Sequence, residues 1–305
     1  MISVVIPLYN KEKQIGNTLR TVLNQTFQDF EIVVVNDGST DNSAAEVERF
    51  HDQRIRLVHQ ANAGVSAARN RGVEESKYDL IAFLDADDEW KPSYLETQYS
   101  LYKKYPECSV FACNYEFRDA DGNVKPTIIR KLPFQETDGI LSNYFKVASC
   151  SHPPLWTSAI VAKKSALMYV GGFPVGIKSG EDLLTWARLA MKYKIVFCQT
   201  PLSTFISDAK LFNDDQKQRM PEKNYDYVGM ELHRLYINNQ GVAGIKAYNA
   251  LWHKMRARIY LDKEFRMMAL KECVCSAKYN LNLKILAFIC ISLLPYKIIH
   301  SIFKN

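Results

Sequence analysis

The first 85 residues of the chain alternate between two hydrophobic periodicities, and this alternation limits the fold more than any other feature. Short apolar runs, the first two of them rich in valine and isoleucine, occupy residues 2–6, 31–36, 55–59 and 79–84. Between them, apolar residues recur at helical spacing in segments 15–23, from about 43, and 65–75. Continuous apolar strands separated by helices indicate βαβ units, in which helices cover both faces of a mostly parallel sheet. The sequence therefore predicts an α/β fold built on a mostly parallel sheet.

Polar residues follow three of these predicted strands at the point where each strand ends. The first ends in PLYN at residues 7–10, the second in NDGS at 36–39, and the fourth in DADD at 85–88. Ligands of open parallel sheets bind beyond the carboxyl ends of the strands. We therefore expect these three polar clusters to line one crevice.

The charge distribution separates a neutral part of the chain from a basic part. Residues 1–205 contain 23 Lys and Arg against 24 Asp and Glu, whereas residues 206–305 contain 16 against 9. From about residue 217 the apolar spacing is helical to the end. We therefore predict two regions, an α/β domain over residues 1–205 and a helical, basic C-terminal region over residues 206–305.

The last 25 residues, 281–305, combine apolar residues with lysines. Their longest uncharged apolar run, residues 285–294, is about half of the roughly 20 residues that a spanning helix needs. From residue 273 onward there are four lysines and no acids. This composition favours a helix that lies in the interface of a membrane with anionic lipids. The alternative is a helix packed on the protein's own core or on a second subunit.

The acidic run at the end of the fourth strand favours a metal site. Asp85 and Asp87 are two residues apart, so in strand geometry they point to the same face. Carboxylate oxygens suit a hard divalent cation such as Mg²⁺ or Mn²⁺, with water and substrate phosphates completing the shell. The alternative is that Asp87 or Asp88 caps the helix expected near Pro92.

Other polar residues at the predicted crevice allow both functional and structural interpretations. Asp37 either accepts a hydrogen bond from a base such as uracil or stabilises a turn. Arg69 either faces the nucleotide or is a solvated helix cation. Asp182, at a predicted helix start, is a candidate general base, since that role needs a carboxylate free of metal. Among six histidines, only His152, four residues before Trp156, lies in a candidate site loop.

Several classes of protein are disfavoured by the sequence. It contains no G-x-G-x-x-G after the first strand and no G-x-x-x-x-G-K-[ST], which disfavours a glycine-based phosphate cradle and favours metal-mediated diphosphate binding. The seven cysteines have no disulfide or zinc spacing, which is typical of reduced thiols in the cytoplasm. The N-terminus opens directly into a strand, so we expect no secretory signal. No nucleic-acid partner is predicted.

Taken in order, four segments closely resemble glycosyltransferase family 2. They are SVVIPLYN at residues 3–10, EIVVVNDGSTD at 31–41, NAG with ARN between 62 and 70, and FLDADD at 83–88. GGF at 171–173 followed by Glu181 and Asp182 is similar to the acceptor-side pattern of that family. The resemblance covers residues 1 to about 205.

The resemblance implies the nucleotide-sugar-binding, Rossmann-like fold called GT-A over residues 1–205, together with a set of site residues. Pro7, Tyr9 and Glu12 would contact the nucleoside, with Asp37 on the base and Arg69 nearby. The D-x-D pair would be Asp85, toward the ribose and metal, and Asp87, on the metal. Asp182 would be the base of an inverting transfer, and Glu181, His152 and Trp156 would lie on the acceptor side.

The expected activity is transfer of a hexosyl or N-acetylhexosaminyl group from a nucleoside-diphosphate sugar, most simply a UDP-sugar. The acceptor would be a saccharide or a lipid-linked saccharide at the cytoplasmic face of the cell membrane, in the synthesis of a surface polysaccharide. Two other classes are considered. A nucleotidyltransferase that makes nucleotide sugars would carry a glycine-rich signature after the first strand, which PLYNKEKQIG lacks. A non-catalytic nucleotide- or sugar-binding module would be indifferent to substitution of Asp182.

Overall fold

The computed structural model describes residues 1–207 and 225–293. Its first half consists of three βα repeats followed by a fourth strand, a short fifth strand and a helix. In chain order these elements are β1 (Ile2–Leu8), α1 (Ile15–Leu23), β2 (Phe30–Asp37), α2 (Ser43–Glu48), β3 (Ile55–Gln60), α3 (Val65–Glu75), β4 (Leu80–Phe83), β5 (Glu89–Trp90) and α4 (Tyr94–Lys104).

The second half contains the remaining strands and a group of C-terminal helices. It runs β6 (Cys108–Asp119), β7 (Val124–Pro126), β8 (Asp138–Ile140), α5 (Tyr144–Ala148), a 3₁₀ turn (Thr157–Ala159), β9 (Ile160–Lys163), α6 (Lys164–Tyr169), α7 (Glu181–Lys192) and β10 (Lys194–Ser207). After residue 224 come α8 (Tyr227–Asn238), α9 (Ile245–Asp262), α10 (Arg266–Tyr279) and α11 (Leu283–Leu293).

One sheet joins all of these strands, in the order β3-β2-β1-β4-β9-β6-β10-β5, with β7 on β6 and β8 on β10. The first four strands are parallel, which confirms the predicted βαβ units. The other half is mixed, because β9 runs antiparallel to both β4 and β6. The predicted α/β class is confirmed, and the departure from a mostly parallel sheet lies beyond β4.

Helices cover both faces of the sheet, which is why β1 and β2 are apolar along most of their length. Every residue of these two strands is buried. On one face α3 approaches β1 closely at Gly72, where an added Cβ would lie 2.2 Å from Cγ1 of Val5. Only glycine permits this helix–strand spacing, so replacing Gly72 would push α3 away from the strand that precedes the site.

The C-terminal helices fall into two groups. Helices α8 and α9 belong to the same hydrophobic cluster as α7, through Val228, Tyr248 and Trp252. Helices α10 and α11 form a smaller cluster with the end of α9, built on Tyr260, Leu261 and Ala269. Residues 217–224 of the predicted helical tail, and the part of segment 281–305 beyond residue 293, lie outside the described residues.

Candidate active site

The loops after β1, β2 and β4 are bonded to one another at the carboxyl end of the parallel strands. The Thr40 amide donates to Oδ1 of Asn10 (2.8 Å), and the Asn10 amide donates to Oγ of Ser39 (3.1 Å). Nζ of Lys11 lies 2.5 Å from Oδ2 of Asp87. These contacts bring the three polar clusters together at one edge of the sheet.

The acidic loop 85–88 is held in a fixed conformation by two hydroxyl groups. Oγ1 of Thr18 is placed to donate to the carbonyl oxygens of Ala86 (3.0 Å) and Asp88 (2.9 Å). Oγ of Ser158 accepts from the Asp85 amide (3.1 Å) and donates to Oδ2 of Asp88 (2.5 Å). Preorganised ligands need no ordering when a cation binds, so this support favours a binding role for the loop.

The alternative role for these aspartates as helix caps is wrong. Helix α4 begins at Tyr94, its N-cap is Ser93, and the side chain that accepts from an amide of its first turn is that of Gln25. The side chain of Asp88 is instead buried, 1% exposed. Burial, together with the charges of Asp87 and Asp85, raises the pKa of Asp88 well above its usual range. Asp88 therefore has a structural role, and Asp85 and Asp87 are the two carboxylates left for a ligand.

Asp85 and Asp87 fit a hard divalent cation. Their side chains are 29% and 17% exposed, so both combine solvent access with a fixed backbone. Each already lies beside a cation of the chain, Arg69 for Asp85 and Lys11 for Asp87. Oxygen ligands of this kind suit Mg²⁺ or Mn²⁺, which usually keeps several waters or takes substrate phosphates as further ligands. These two residues would hold the metal.

A second acidic cluster, in the C-terminal helices, does not fit a metal in the same way. Ligand atoms of Asp226, His253 and Glu272 lie within 4.8 Å of one another. However, Nε of Arg256 lies 2.8 Å from Oε1 of Glu272 and 3.4 Å from Oδ2 of Asp226. The guanidinium already supplies the positive charge, so this cluster is an ion-pair network that joins α8, α9 and α10.

Arg69 connects the metal side of the site to the helix that carries the candidate base. It is 4% exposed, so the interpretation as a solvated helix cation is wrong. Its Nη2 lies 2.8 Å from Oδ1 of Asp85, and its Nη1 lies 3.4 Å from Oε1 of Glu181. The guanidinium also lies over the Phe173 ring, 5.2 Å from the centroid. One buried cation is thus shared by residues from two sides of the crevice.

Asp182 has the ionisation expected of a general base. It lies in the first turn of α7, which follows Gly180 in a left-handed conformation (φ 83°). Burial, and next the negative charge of Glu181, raise the pKa of Asp182 to about 6, against the opposing effect of Arg69. A base whose pKa lies near the working pH combines the correct ionisation state with useful basicity. The position and the pKa both favour a catalytic role.

The wall behind Asp182 is built by residues from α5 and α9. The Tyr248 hydroxyl donates to the Leu183 carbonyl oxygen (3.0 Å), and it lies 3.1 Å from the Tyr144 hydroxyl. Burial is the main cause that raises the pKa of both phenols, and the negative charge of Asp182 raises it further, so both phenols remain neutral. The C-terminal region therefore contributes directly to the surroundings of the candidate base.

An aromatic cluster lies on the acceptor side proposed from the sequence. Trp156 stacks on Tyr115 (centroids 5.2 Å apart) and packs edge-on against Phe205 (5.3 Å). Within the described ranges, the buried Nε1 of Trp156 has no hydrogen-bond partner. His152 is exposed, and its Nδ1 lies 3.1 Å from the Ile128 amide, so its ring holds the neighbouring loop.

The residues assigned to the nucleoside differ in how accessible they are. Tyr9 is 44% exposed at the mouth of the crevice, whereas Pro7 is buried inside β1. Oε2 of Glu12 accepts from the Asn42 amide (3.1 Å). Asp37 is buried and accepts from the amides of residues 63 (2.9 Å) and 64 (2.8 Å) as well as from a glutamine side chain. A carboxylate has about four acceptor positions, so one remains beyond these three bonds.

Several residues of the site have no direct signal in the sequence. Lys11, Thr18, Ser158 and Tyr248 are ordinary residue types at unremarkable spacings, and their partners lie 65 to 76 positions away along the chain. Lys11 alone had an indirect signal, because it directly follows the PLYN cluster. The three-dimensional arrangement was needed to find the others.

The sheet, the acidic loop after β4 and the acidic start of α7 define the GT-A class of glycosyltransferases. The chain belongs to glycosyl transferase family 2, whose model matches residues 3–167. Among the three classes considered from the sequence, this match favours the glycosyltransferase over the nucleotidyltransferase and the binding module.

Curated relatives are similar over part of the chain. The uncharacterized glycosyltransferase YibD of Escherichia coli is 40% identical over 119 residues, which cover 38% of this chain and 34% of the relative. Glycosyltransferase GlyG of Streptococcus pneumoniae is 38% identical over 126 residues, covering 40% of this chain and 42% of the relative. The matched segments thus span less than half of these relatives.

Solved structures are similar over nearly the whole chain at low sequence identity. TarS residues 1–349 of S. aureus, in complex with UDP-GlcNAc, superposes with a TM-score of 0.66 at 16% identity and covers 98% of this chain and 86% of that one. The mannosyltransferase PcManGT of Pyrobaculum calidifontis, in complex with GDP-Man and Mn²⁺, superposes with a TM-score of 0.57 at 17% identity. This match covers 98% of this chain and 83% of PcManGT. At such identities the likeness establishes the fold.

Proposed function

We propose that the chain is a metal-dependent inverting glycosyltransferase that transfers a hexosyl or N-acetylhexosaminyl group from a UDP-sugar. The acceptor is a hydroxyl of a saccharide or a lipid-linked saccharide, in surface polysaccharide synthesis. The observation that carries the proposal is the arrangement around Arg69, which links a candidate metal ligand, Asp85, to Glu181 beside the candidate base. The structural neighbours solved with UDP-GlcNAc and with GDP-Man and Mn²⁺ support the donor class and the metal.

The mechanism assigns separate tasks to the two sides of the crevice. A bound cation would stabilise the negative charge that develops on the departing diphosphate. Asp85 and Asp87 orient the diphosphate end of the donor. The exposed ring of Tyr9 offers a face on which the nucleobase of the donor can stack. Asp182 removes the proton from the acceptor hydroxyl, which attacks the anomeric carbon opposite the leaving group. Attack from that face inverts the configuration of the transferred sugar.

The proposal is tested by thermal unfolding with UDP, dTDP, GDP and CMP, each with Mn²⁺ and with EDTA. A ligand at 100 times its dissociation constant adds about 2.7 kcal/mol to the free energy of unfolding, which raises Tm measurably. We expect UDP to raise Tm with Mn²⁺ and to have little effect with EDTA. Stabilisation by a different nucleotide would contradict the UDP assignment, and equal effects with EDTA would contradict the metal requirement.

We further propose that α11 binds the cytoplasmic face of the membrane. Leu283, Leu286 and Leu293 are 84%, 44% and 62% exposed on one face of α11, whereas Ile285 on the other face is 1% exposed. The exposed Lys271 and Lys278 on α10 supply the positive charge that anionic lipid attracts. No helix within residues 1–207 and 225–293 has the length and hydropathy of a membrane span.

Membrane binding is tested by flotation with vesicles that contain phosphatidylglycerol or only phosphatidylcholine. The double variant L283N/L286S is expected to lose most of its binding to anionic vesicles, because it removes apolar surface that would be buried in the interface. The control M230S/I237S removes two apolar side chains that are also exposed, by 54% and 48%, on α8. Equal flotation of the L283N/L286S variant and the wild type would contradict the proposal, as would loss of binding in the control.

A further inference from the structure

Each accessible carboxylate of the acidic loop is paired with a cation that belongs to the chain itself. Asp85 is bound by Arg69, and Asp87 is bound by Lys11 at 2.5 Å. The Lys11–Asp87 pair is largely shielded from solvent, with side chains 13% and 17% exposed. The repulsion between the neighbouring carboxylates is therefore offset before any metal binds, and a divalent cation must compete with these two groups.

The two internal cations differ in how easily they can leave. Arg69 is 4% exposed, is also bound to Glu181 and lies over an aromatic ring, so its removal would leave a buried carboxylate without its charge partner. Lys11 instead reaches Asp87 through a flexible four-carbon stem whose terminal ammonium can rotate. Of the two, Lys11 is the one that a metal can displace.

The backbone of Lys11 is fixed, so displacement would involve its side chain alone. The Lys11 amide donates to Oγ of Ser43 (2.7 Å). Its carbonyl oxygen accepts from the amides of Gln14 and Ile15, both at 3.0 Å. These bonds anchor the residue to the starts of α1 and α2. Rotation of the side chain would release Oδ2 of Asp87 while these backbone hydrogen bonds stay intact.

We propose that the Lys11 ammonium is a tethered counter-ion that holds Asp87 in the metal-free protein and is displaced when a divalent cation binds. This inference rests on the proposed function only in taking Asp87 as a metal ligand. It assigns to Lys11 a positioning role, in which the side chain keeps the acidic loop assembled and at the same time lowers its affinity for free metal.

The test is isothermal titration calorimetry, in which Mn²⁺ alone is titrated into the full chain of the wild type and of three variants. K11M removes the charge but keeps the length of the side chain, and we expect it to bind Mn²⁺ about tenfold more tightly, equivalent to about 1.4 kcal/mol. K13M is the matched control, because Lys13 is exposed and only two residues away, and it should bind as the wild type does. D87N should bind weakly.

A second readout needs no metal. In EDTA, K11M and D87N should each lower the free energy of unfolding. The decrease in the double variant should be smaller than the sum of the two single decreases, because both substitutions remove the same ion pair. Additive losses would overturn the pairing.

The outcomes of the metal titration separate this inference from the proposed function. The role of Lys11 would be overturned if K11M bound Mn²⁺ no more tightly than the wild type, or if K13M gained as much affinity as K11M. Either result would leave the proposed metal site unaffected. If neither the wild type nor K11M bound Mn²⁺, even with the nucleotide that raises Tm, the metal requirement would fail and the displacement with it.

Discussion

Replacing Asp182 with asparagine is expected to lower kcat by roughly two to four orders of magnitude and to leave the donor dissociation constant unchanged. Asparagine has nearly the same shape but cannot take a proton from the acceptor hydroxyl. Asp182 lies in the first turn of α7, whereas the candidate metal ligands lie in the loop after β4. Kinetic measurements on this variant should therefore show the loss of the general base, while calorimetry on the same variant should show unchanged donor binding.

The pH dependence of kcat provides an independent check on this assignment. A general base must be ionised to act, and the pKa of Asp182 is raised to about 6. The wild-type kcat should therefore fall as the pH drops below about 6, and the residual activity of D182N should lack this acid limb. Loss of donor binding in folded D182N, or an unchanged kcat, would contradict the assignment of Asp182 as the base.

Replacing Gly180 with alanine is expected to destabilise the protein by roughly 2 to 6 kcal/mol, combining backbone strain with overpacking. Gly180 has a φ of +83°, and an added Cβ would lie 2.4 Å from Cζ3 of the Trp252 ring. The indole is rigid, and its Nε1 also bonds to Asp226 (3.0 Å to Oδ2), so it cannot move aside freely. The variant should therefore separate α9 from the start of α7 and lower kcat as well as stability.

Gly171 provides the matched control for this substitution. Its φ is also +83°, but an added Cβ would meet nothing within 4 Å. G171A should therefore cost only the backbone strain, about 1–3 kcal/mol, and chemical denaturation of both variants isolates the contact with Trp252. Equal losses in G180A and G171A would show that α9 does not press on the start of α7.

The first half of the fold was predictable because its apolar periodicity is dictated by burial. Segments predicted as helices at 15–23 and 65–75 correspond to α1 (Ile15–Leu23) and α3 (Val65–Glu75). The short strands β5 and β8 were not predicted, because two or three residues carry no periodicity and become strands only by pairing with β10. The long strand β10 itself was also missed.

The site was predictable where chemistry is concentrated in sequence and not where it depends on distant contacts. The acids of loop 85–88 and of residues 181–182 stand out as local clusters at element ends. The burial of Arg69 between them depends on Glu181, 112 positions away along the chain. The contribution of Tyr248 likewise depends on how α9 packs against α7, for which the sequence has no local signal. These contacts are properties of the tertiary structure alone.

Titration of UDP into the wild type and D87N, with Mn²⁺ and with EDTA, tests the central claim most directly. The claim is that the acidic loop holds a metal through which the donor diphosphate binds. We expect the wild type to bind UDP at least tenfold more tightly with Mn²⁺ than with EDTA, a difference of about 1.4 kcal/mol or more, and D87N to lose this difference. UDP binding that is unaffected by Mn²⁺, or a metal dependence that persists in D87N, would contradict it.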